Sequence, residues 1–301
     1  MSMIMDGKAL ATTIKERVAE LIKKGLNHAP TLAILTFGDD DASKVYVKNK
    51  LKAAEEVGIR AHHCIISEEV YNQPNFKVDL IDIINAHDGI IVQLPVPYWC
   101  NVKKILEMIP AEKDVDGLTA EQVGLLRTAP LKALSPCTPA GIMELILEYY
   151  HPFDKEDGKN NALVIGRSNL VGRPIAEMLL QDDWTVTIAH SKTPKEELLK
   201  AFENADLVIS AAGKRNLITE KEIPHSIQRK QMIIDVSINR DENGKLCGDF
   251  SEEFKQKYSE CYTPVPGGVG PMTVAMLMYN TYQAAKYKDC YEKTVKKELT
   301  E

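Results

Sequence analysis

Three side chains able to do chemistry share one short stretch, "SKVYVKNK": Ser43, Tyr46 and Lys50. They stand at i, i+3 and i+7, so a helix would carry all three on one face. A tyrosine and a lysine one turn apart combine an aromatic surface for stacking with an amine that can carry a proton. A solvated helix face would look the same, since Lys44 and Lys48 lie in the same stretch. Gln93 closes the apolar run "GIIVQL" (89–94) at its carboxyl end, which is where parallel sheets meet their ligands. Asp114 and Asp116 precede Gly117 in "EKDVDGL". They can shape a turn, or a carboxylate there can accept the paired N–H donors of a heterocycle.

A second set of residues suits phosphate. In "VIGRSNLVGRP", Gly166 ends a strand-like run and Gly172 opens a helical one. Free backbone N–H groups and the dipole at such a helix start face an anion. Ser168 stands where the middle glycine of a dinucleotide fingerprint would be, so the spacing alone also fits an ordinary tight turn. The next run, "WTVTIAH", leads to His190, Ser191 and Lys192 instead of the acid that holds a ribose 2′-hydroxyl. With Arg167 in the first turn, the pattern favours the 2′-phosphate of NADP over NAD. The rival reading is a plain polar surface. "SPCTPAG" (135–141) and "TPVPGGVGPMT" (263–273) are rigid turns feeding helix starts, with glycines that let backbone approach a ligand. They read equally as hinges.

These residues need a scaffold of alternating strands and helices. Residues 31–37, 61–66 and 89–94 read as strands, with helices over 43–57, stopped by Gly58, and over 77–86. The unbroken apolar character of 89–94 suits a parallel strand buried on both faces. A second series begins near residue 160: "NALVIG", the helix "RPIAEMLLQD", "WTVTIAH", a helix over 194–203, "ADLVISAAG" and "QMIIDVSI". That is half of a nucleotide-binding doubly wound sheet, complete at four strands. The polar stretch 149–161 reads as the connection before it, and a last helix over 272–286 as returning to the first domain. The opening residues carry an amphipathic helical pattern, and the charged tail from 292 should fray. The expected fold is therefore α/β. A domain of residues 1–139, with the helix 271–301, precedes a Rossmann-like domain of residues 140–270.

Composition narrows the function. With 301 residues, 44% hydrophobic and 27% charged, the chain can bury two ordinary cores. A net charge of −6 argues against nucleic acid, which selects basic surfaces. The apolar runs are too short to span a bilayer, and the opening stretch lacks the apolar core of a signal peptide. The six cysteines are far apart with no C-x-x-C pair, so free thiols in a cytoplasmic protein and no metal are expected.

Taken together, "SKVYVKNKLKAAEEVGI", "GIIVQLPVP", "KDVDG", "SPCTPAG", "VIGRSNLVGRP", "PVPGGVGPMT" and "MYNT" resemble the methylenetetrahydrofolate dehydrogenase/cyclohydrolase family, in order from about residue 30 to 282. The resemblance implies oxidation of 5,10-methylenetetrahydrofolate with NADP+, then hydrolysis of the methenyl product to 10-formyltetrahydrofolate, at one shared cleft. It implies Lys50 as catalytic lysine, Gln93 as its partner and Tyr46 as the stacking ring. Asp116, Ser43, Gly268 and Thr273 fall to the folate, and Gly166, Arg167, Ser168, His190, Ser191, Thr138 and Ile238 to NADP. It further implies a homodimer and a role in one-carbon metabolism that serves purine biosynthesis. Leu118, Thr119 and Ser237 depart from the usual pattern, and the last is expected to alter the cofactor pocket slightly. Two rival classes stay open: another two-domain NADP dehydrogenase, and a catalytically silent binding protein.

Overall fold

The structure, a computed structural model, describes residues 2–149, 160–223 and 230–298. The chain forms two compact units: Thr12–Cys137 with Val274–Glu301, and Met1–Ala11 with Thr138–Thr273. Eleven strands occur among the described residues: β1 (Met3–Ile4), β2 (Thr31–Phe37), β3 (Arg60–Ile66), β4 (Gly89–Val92), β5 (Asn161–Ile165), β6 (Thr185–Ala189), β7 (Leu207–Ser210), β8 (Gln231–Asp235), β9 (Asn239–Arg240), β10 (Leu246–Cys247) and β11 (Ser259–Tyr262).

The first unit holds a parallel sheet in the order β3-β2-β4. Leu32, Ala33, Ile34 and Leu35 of the central strand have no exposed surface, as a strand covered on both faces must. Burying each of the larger ones stabilises the fold by about 1.5–3 kcal/mol. Phe76, Leu80 and Ile84 of the helix Phe76–Ala86 pack on one side of this core with Ile90 and Val92. The helix Asp41–Val57 starts where Asp40 accepts the Ser43 N–H at 2.8 Å. It stops at Gly58, whose φ of 86° only glycine adopts freely. Both ends agree with the sequence pattern. The last helix, Val269–Glu298, is longer than the expected 272–286, and its part from Val274 onward belongs to this unit, as expected of a returning helix.

The second unit holds a six-stranded parallel sheet in the order β1-β11-β8-β7-β5-β6. The sheet is doubly wound, since the chain goes from β5 to one neighbour, β6, and then across to the other, β7. Two expectations need correction. The sheet is not complete at four strands: β11 continues it, and β1 closes its edge by pairing Met3 with Cys261 and Ile4 with Tyr262. The opening residues are therefore not helical throughout; the helix begins at Gly7. Ladder pairing to a strand distant in sequence outweighed a weak local helical pattern. Leu163, Val208, Ile233, Phe202, Phe250 and Phe254 form the core of one face. The connection expected over 149–161 lies, apart from its ends, outside the described residues. Cys64, Cys100, Cys137, Cys247 and Cys261 are free thiols. Among the described residues no helix is long and apolar enough to cross a membrane, and no group of three or more His, Cys, Asp or Glu is arranged to hold a metal ion.

Candidate active site

Lys50 owes its position to the register of its helix. Ser43, Val47, Ala54 and Val57 are buried along one face, and Lys50 lies on that same stripe, half-buried, whereas Lys44 and Lys48 are exposed. The solvated-lysine reading therefore fails for Lys50 alone. Its Nζ donates to Gln93 Oε1 at 2.8 Å. Gln93, one residue beyond β4, turns that oxygen toward the lysine because its own Nε2 donates to Leu94 O at 2.8 Å. Tyr46 is 48% exposed, one turn back on the helix, with its ring open to solvent. Ser43 is buried, and its hydroxyl donates to Asp40 at 2.9 Å. Ser43 and Gln93 line a pocket with Thr36, Phe37, Gly38 and Pro95, at the carboxyl ends of β2 and β4.

Asp116 reaches this region by a different route. Val115, fully buried, takes an N–H···O bond of 3.4 Å to Ile90 of β4, which lays the segment along the sheet. Gly117 then turns with φ 67°, where a Cβ would stand 2.6 Å from Leu134 O. Asp114 serves the turn: its carboxylate accepts the Thr119 N–H at 2.6 Å, and Thr119 in turn caps the helix Ala120–Thr128. The turn-shaping reading holds for Asp114. The departure at residue 119 thus supplies a capping oxygen.

Two residues whose roles the sequence did not reveal stand against the segment that carries Asp116. Asn280, from the last helix, is buried and uses both amide hydrogens, to Val115 O at 2.9 Å and Ser135 O at 2.8 Å. Cys137 places its sulfur 3.2 Å from Val115 O and within reach of the Asp116 carboxylate. Both lie in stretches that stood out, "MYNT" and "SPCTPAG", but nothing in a linear pattern shows which backbone oxygens they would meet. Burial pulls the Lys50 ammonium below its ordinary range, while the charge of Asp116 and then Cys137 hold it up. Burial pushes the Asp116 carboxyl up against the opposing pull of Lys50 and the Cys137 thiol. The thiol is pushed well above its usual value by burial, and further by Asp116. Burial thus favours the neutral form of both the amine and the carboxyl, against their mutual attraction.

The second unit offers backbone in place of buried charge. Gly166 follows β5 with φ 135°, donates its N–H to Ala189 O at 2.9 Å, and leaves no room for a Cβ, which would lie 2.6 Å from Ala211 O. Gly172 packs so closely on the Gly166 carbonyl that a side chain would overlap it. Ser168 Oγ accepts the Val171 N–H at 3.1 Å and that of Gly172 at 3.4 Å, which shapes the start of the helix Gly172–Gln181. Arg167 is exposed in this turn. At the end of β6, His190 N donates to Thr193 Oγ1 at 2.9 Å and His190 Nδ1 accepts the Lys192 N–H at 3.2 Å, leaving Ser191 exposed on the turn. Ile238, 48% exposed, follows β8. Thr138 and Thr273 share a hydrogen bond of 2.9 Å between their hydroxyls. Gly268 is packed against Thr263, where a Cβ would stand 2.6 Å from that residue's own. The open glycine turn at the β5/β7 switch point fits a dinucleotide, whose pyrophosphate needs close backbone approach.

A lysine drawn by burial toward its neutral form and held by Gln93 just beyond β4, in a chain that also folds a doubly wound sheet with an open glycine turn, defines an α/β enzyme of the nucleotide-dependent class. The tetrahydrofolate dehydrogenase/cyclohydrolase catalytic domain matches residues 5–116, and the NAD(P)-binding domain of the same family matches residues 136–289. A bifunctional protein FolD of Campylobacter hominis is 44% identical over 292 residues, 94% of this chain and 97% of the relative. The crystal structure of the bifunctional FolD methylenetetrahydrofolate dehydrogenase/cyclohydrolase of Campylobacter jejuni is 41% identical, covers 96% of this chain and 100% of its own, and superposes with a TM-score of 0.84. The Trypanosoma brucei dehydrogenase-cyclohydrolase, solved with NADP cofactor and inhibitor, is 30% identical over 95% of this chain and 98% of its own, with a TM-score of 0.81. The chain belongs to the tetrahydrofolate dehydrogenase/cyclohydrolase family, and its second unit carries the NAD(P)-binding domain.

Proposed function

We propose that the chain oxidises 5,10-methylenetetrahydrofolate to the 5,10-methenyl cation with NADP+ and then hydrolyses that cation to 10-formyltetrahydrofolate. The observation that carries the reading is the Lys50–Gln93 hydrogen bond, with the ammonium drawn below its ordinary range by burial. NADP+, when bound, supplies the hydride acceptor. The residues proposed to hold it are Gly166, Arg167, Ser168, His190, Ser191, Thr138 and Ile238. Arg167 and Ser191 take the 2′-phosphate, since no acid stands at the end of β6 to prefer a free ribose hydroxyl.

The oxidation removes a hydride with its electron pair from the methylene carbon, while a ring-nitrogen lone pair closes the amidinium. No hydroxyl proton leaves, so the protein needs only to position the ring. Tyr46 offers its exposed face for stacking, Asp116 accepts the N–H donors of the pterin, and Ser43, Gly268 and Thr273 border the folate. Hydrolysis makes the larger demand. Water attacks the methenyl carbon and gives one proton to the neutral amine of Lys50; the ring nitrogen then leaves with a proton returned from the ammonium so formed, while the carbinol hydroxyl gives up its own proton, through the regenerated amine to solvent, as it becomes the formyl carbonyl. Gln93 holds the amine in place throughout.

The same reading makes the chain a cytoplasmic homodimer that supplies one-carbon units to purine biosynthesis, supported by family membership. NADPH absorbance on mixing with methylenetetrahydrofolate and NADP+, followed by decay of the methenyl absorbance, tests the function. No NADPH with this substrate, but turnover of a hydroxy or amino acid, would favour another dehydrogenase. Binding without turnover would make the chain a silent binder. Light scattering of the purified protein tests the dimer.

A further inference from the structure

At the carboxyl end of β7, on the switch-point side of the second sheet, residues 211–214 form an exposed rim next to the glycine turn. Ala211 N donates to Ile165 O at 2.8 Å, and Ala211 O is the atom a Gly166 side chain would strike. Ala212, Gly213 and Lys214 are exposed. Two of their three consecutive N–H groups nevertheless point inward to one buried carboxylate, and the third reaches it through a serine hydroxyl. Asp249, with no exposed surface, accepts Ala212 N at 3.0 Å through Oδ2 and Lys214 N at 2.7 Å through Oδ1. Gly213 N donates to Ser237 Oγ at 2.9 Å, and that hydroxyl donates on to Asp249 Oδ2 at 2.8 Å. Ser210 Oγ at 2.6 Å and Asn239 Nδ2 at 3.0 Å complete the set. Five donors converge on one carboxylate, more than its roughly four lone-pair sites, so the group is saturated.

Asp249 is itself pinned from below. Asp235, at the end of β8, accepts the N–H groups of Asp249 and Phe250 at 3.0 Å each. Gly248 packs against the Asp235 carboxylate so closely that a side chain there would overlap it. A rigid column thus runs from the end of β8 through Asp235 and Asp249 to the rim at 211–214. None of these contacts strengthens the hydrophobic core, and a buried carboxylate is a costly way to close a loop. Its geometry makes sense if the rim's backbone must be held in a single conformation.

We infer that Asp249 is the positioning residue of the cofactor rim: it fixes the backbone of residues 211–214 beside the glycine turn so that the dinucleotide is held in one pose. Ser237 is the link that ties Gly213 into the same carboxylate. The inference rests on the proposed NADP site and adds a residue with no direct contact to the ligand. It also gives a structural role to the serine at 237, which adds a tie that glycine cannot make.

The test compares two activities of one protein. Asp249→Asn keeps the shape but turns an amide N–H toward a backbone N–H, so two donors face each other. In that variant the NADP+ KM of the dehydrogenase should rise about tenfold or more, the effect of losing a hydrogen bond to a charged group. Hydrolysis of methenyltetrahydrofolate supplied directly, without NADP+, should keep its KM and kcat within about twofold, because the cofactor takes no part in that step. Ser237→Gly removes one tie and leaves the carboxylate its other four donors. It should fold as wild type and raise the NADP+ KM by about threefold, a partial loss of one neutral hydrogen bond. Wild-type NADP+ KM in both variants overturns the inference, and so does a proportional fall of both activities in both variants. Arg167→Ala serves as the control for the underlying reading: if that change too leaves NADP+ binding untouched, the site reading fails first. If Arg167→Ala weakens NADP+ and the other two do not, the rim alone is misread.

Discussion

The two units build their candidate sites from opposite materials. In the first, ionisable side chains are taken out of water: Lys50 on the buried stripe of its helix, Asp116 beside a buried thiol, both displaced by burial toward their neutral forms. In the second, the candidate groups are backbone N–H donors, glycines and exposed side chains such as Arg167 and Ser191. The chemistry assigned to each explains the difference. Proton transfer in the hydrolysis needs groups whose charge can change at working pH, and burial tunes them. Holding a pyrophosphate needs fixed dipoles and charges that never titrate, and solvent access does them little harm. Removing the proton-carrying amine of the first site should therefore strike rate, whereas substitutions in the second should strike cofactor binding.

The largest effect expected is at Lys50. Lys50→Met should lower cyclohydrolase activity by about a hundredfold or more, the usual share of a proton-transferring group. Dehydrogenase activity should persist with methenyltetrahydrofolate accumulating. Lys50→Arg should fail in the same way, because a guanidinium stays protonated and cannot take the proton. The pH dependence has a definite sign. The working form is the neutral amine, so wild-type hydrolysis above background should rise with pH. Its inflection should fall below the value of a free lysine, about 10.4, and no such inflection should remain in Lys50→Met. Wild-type hydrolysis in Lys50→Met would remove the contrast between the two sites.

Asp116 comes next. Asp116→Ala deletes a carboxylate that the proposed pterin needs as acceptor in both reactions. The folate KM should rise about ten- to a hundredfold in both assays, as for a lost hydrogen bond to a charged group. Folate affinity equal to wild type by direct titration would take Asp116 out of the binding site. The second unit then supplies the opposite pattern. Arg167→Ala should raise the NADP+ KM about tenfold, with the NAD+ KM and the rate of methenyl hydrolysis little changed. Equal losses with the two nucleotides would mean that Arg167 does not read the 2′-phosphate.

The same contrast governs how much was legible in the sequence. The glycine turn was readable because its constraint is local: Gly166 and Gly172 are required by backbone geometry within seven residues of chain. The helix 43–57 was readable from its periodicity and its glycine stop, and with it the Ser43–Tyr46–Lys50 face. The burial of Lys50 was not, because it depends on Gln93, 43 residues away, and on the segment at Asp116. Asn280 lies 165 residues from the Val115 carbonyl it holds, and β1 lies far from its partner β11 in the chain. Contacts of that range leave no local spacing to detect. Asp249 was missed for a related reason: an aspartate in a loop is common, and only the fold brings five donors to it.

The smallest effect, and the sharpest test of how the first site divides its labour, is at Tyr46. Its side chain is 48% exposed, one turn from Lys50 on the same helix, and is not part of the pair that moves protons. If its contribution is the face of the ring, Tyr46→Phe keeps it, and both activities should stay within about twofold of wild type. Tyr46→Ser removes the ring while keeping a hydroxyl, and should raise the folate KM by about 0.5–1.5 kcal/mol in binding, or roughly two- to tenfold, the usual worth of an aromatic pair. Because the exposed ring supports little of the core, the loss should appear in KM with unchanged thermal stability. The kcat of hydrolysis and its pH inflection should follow Lys50 and remain as in the wild type. A tyrosine that instead shared the proton work would behave in the reverse manner. Tyr46→Phe would then lower kcat as Lys50→Met does and shift the inflection, and the proton relay would have to include the phenol.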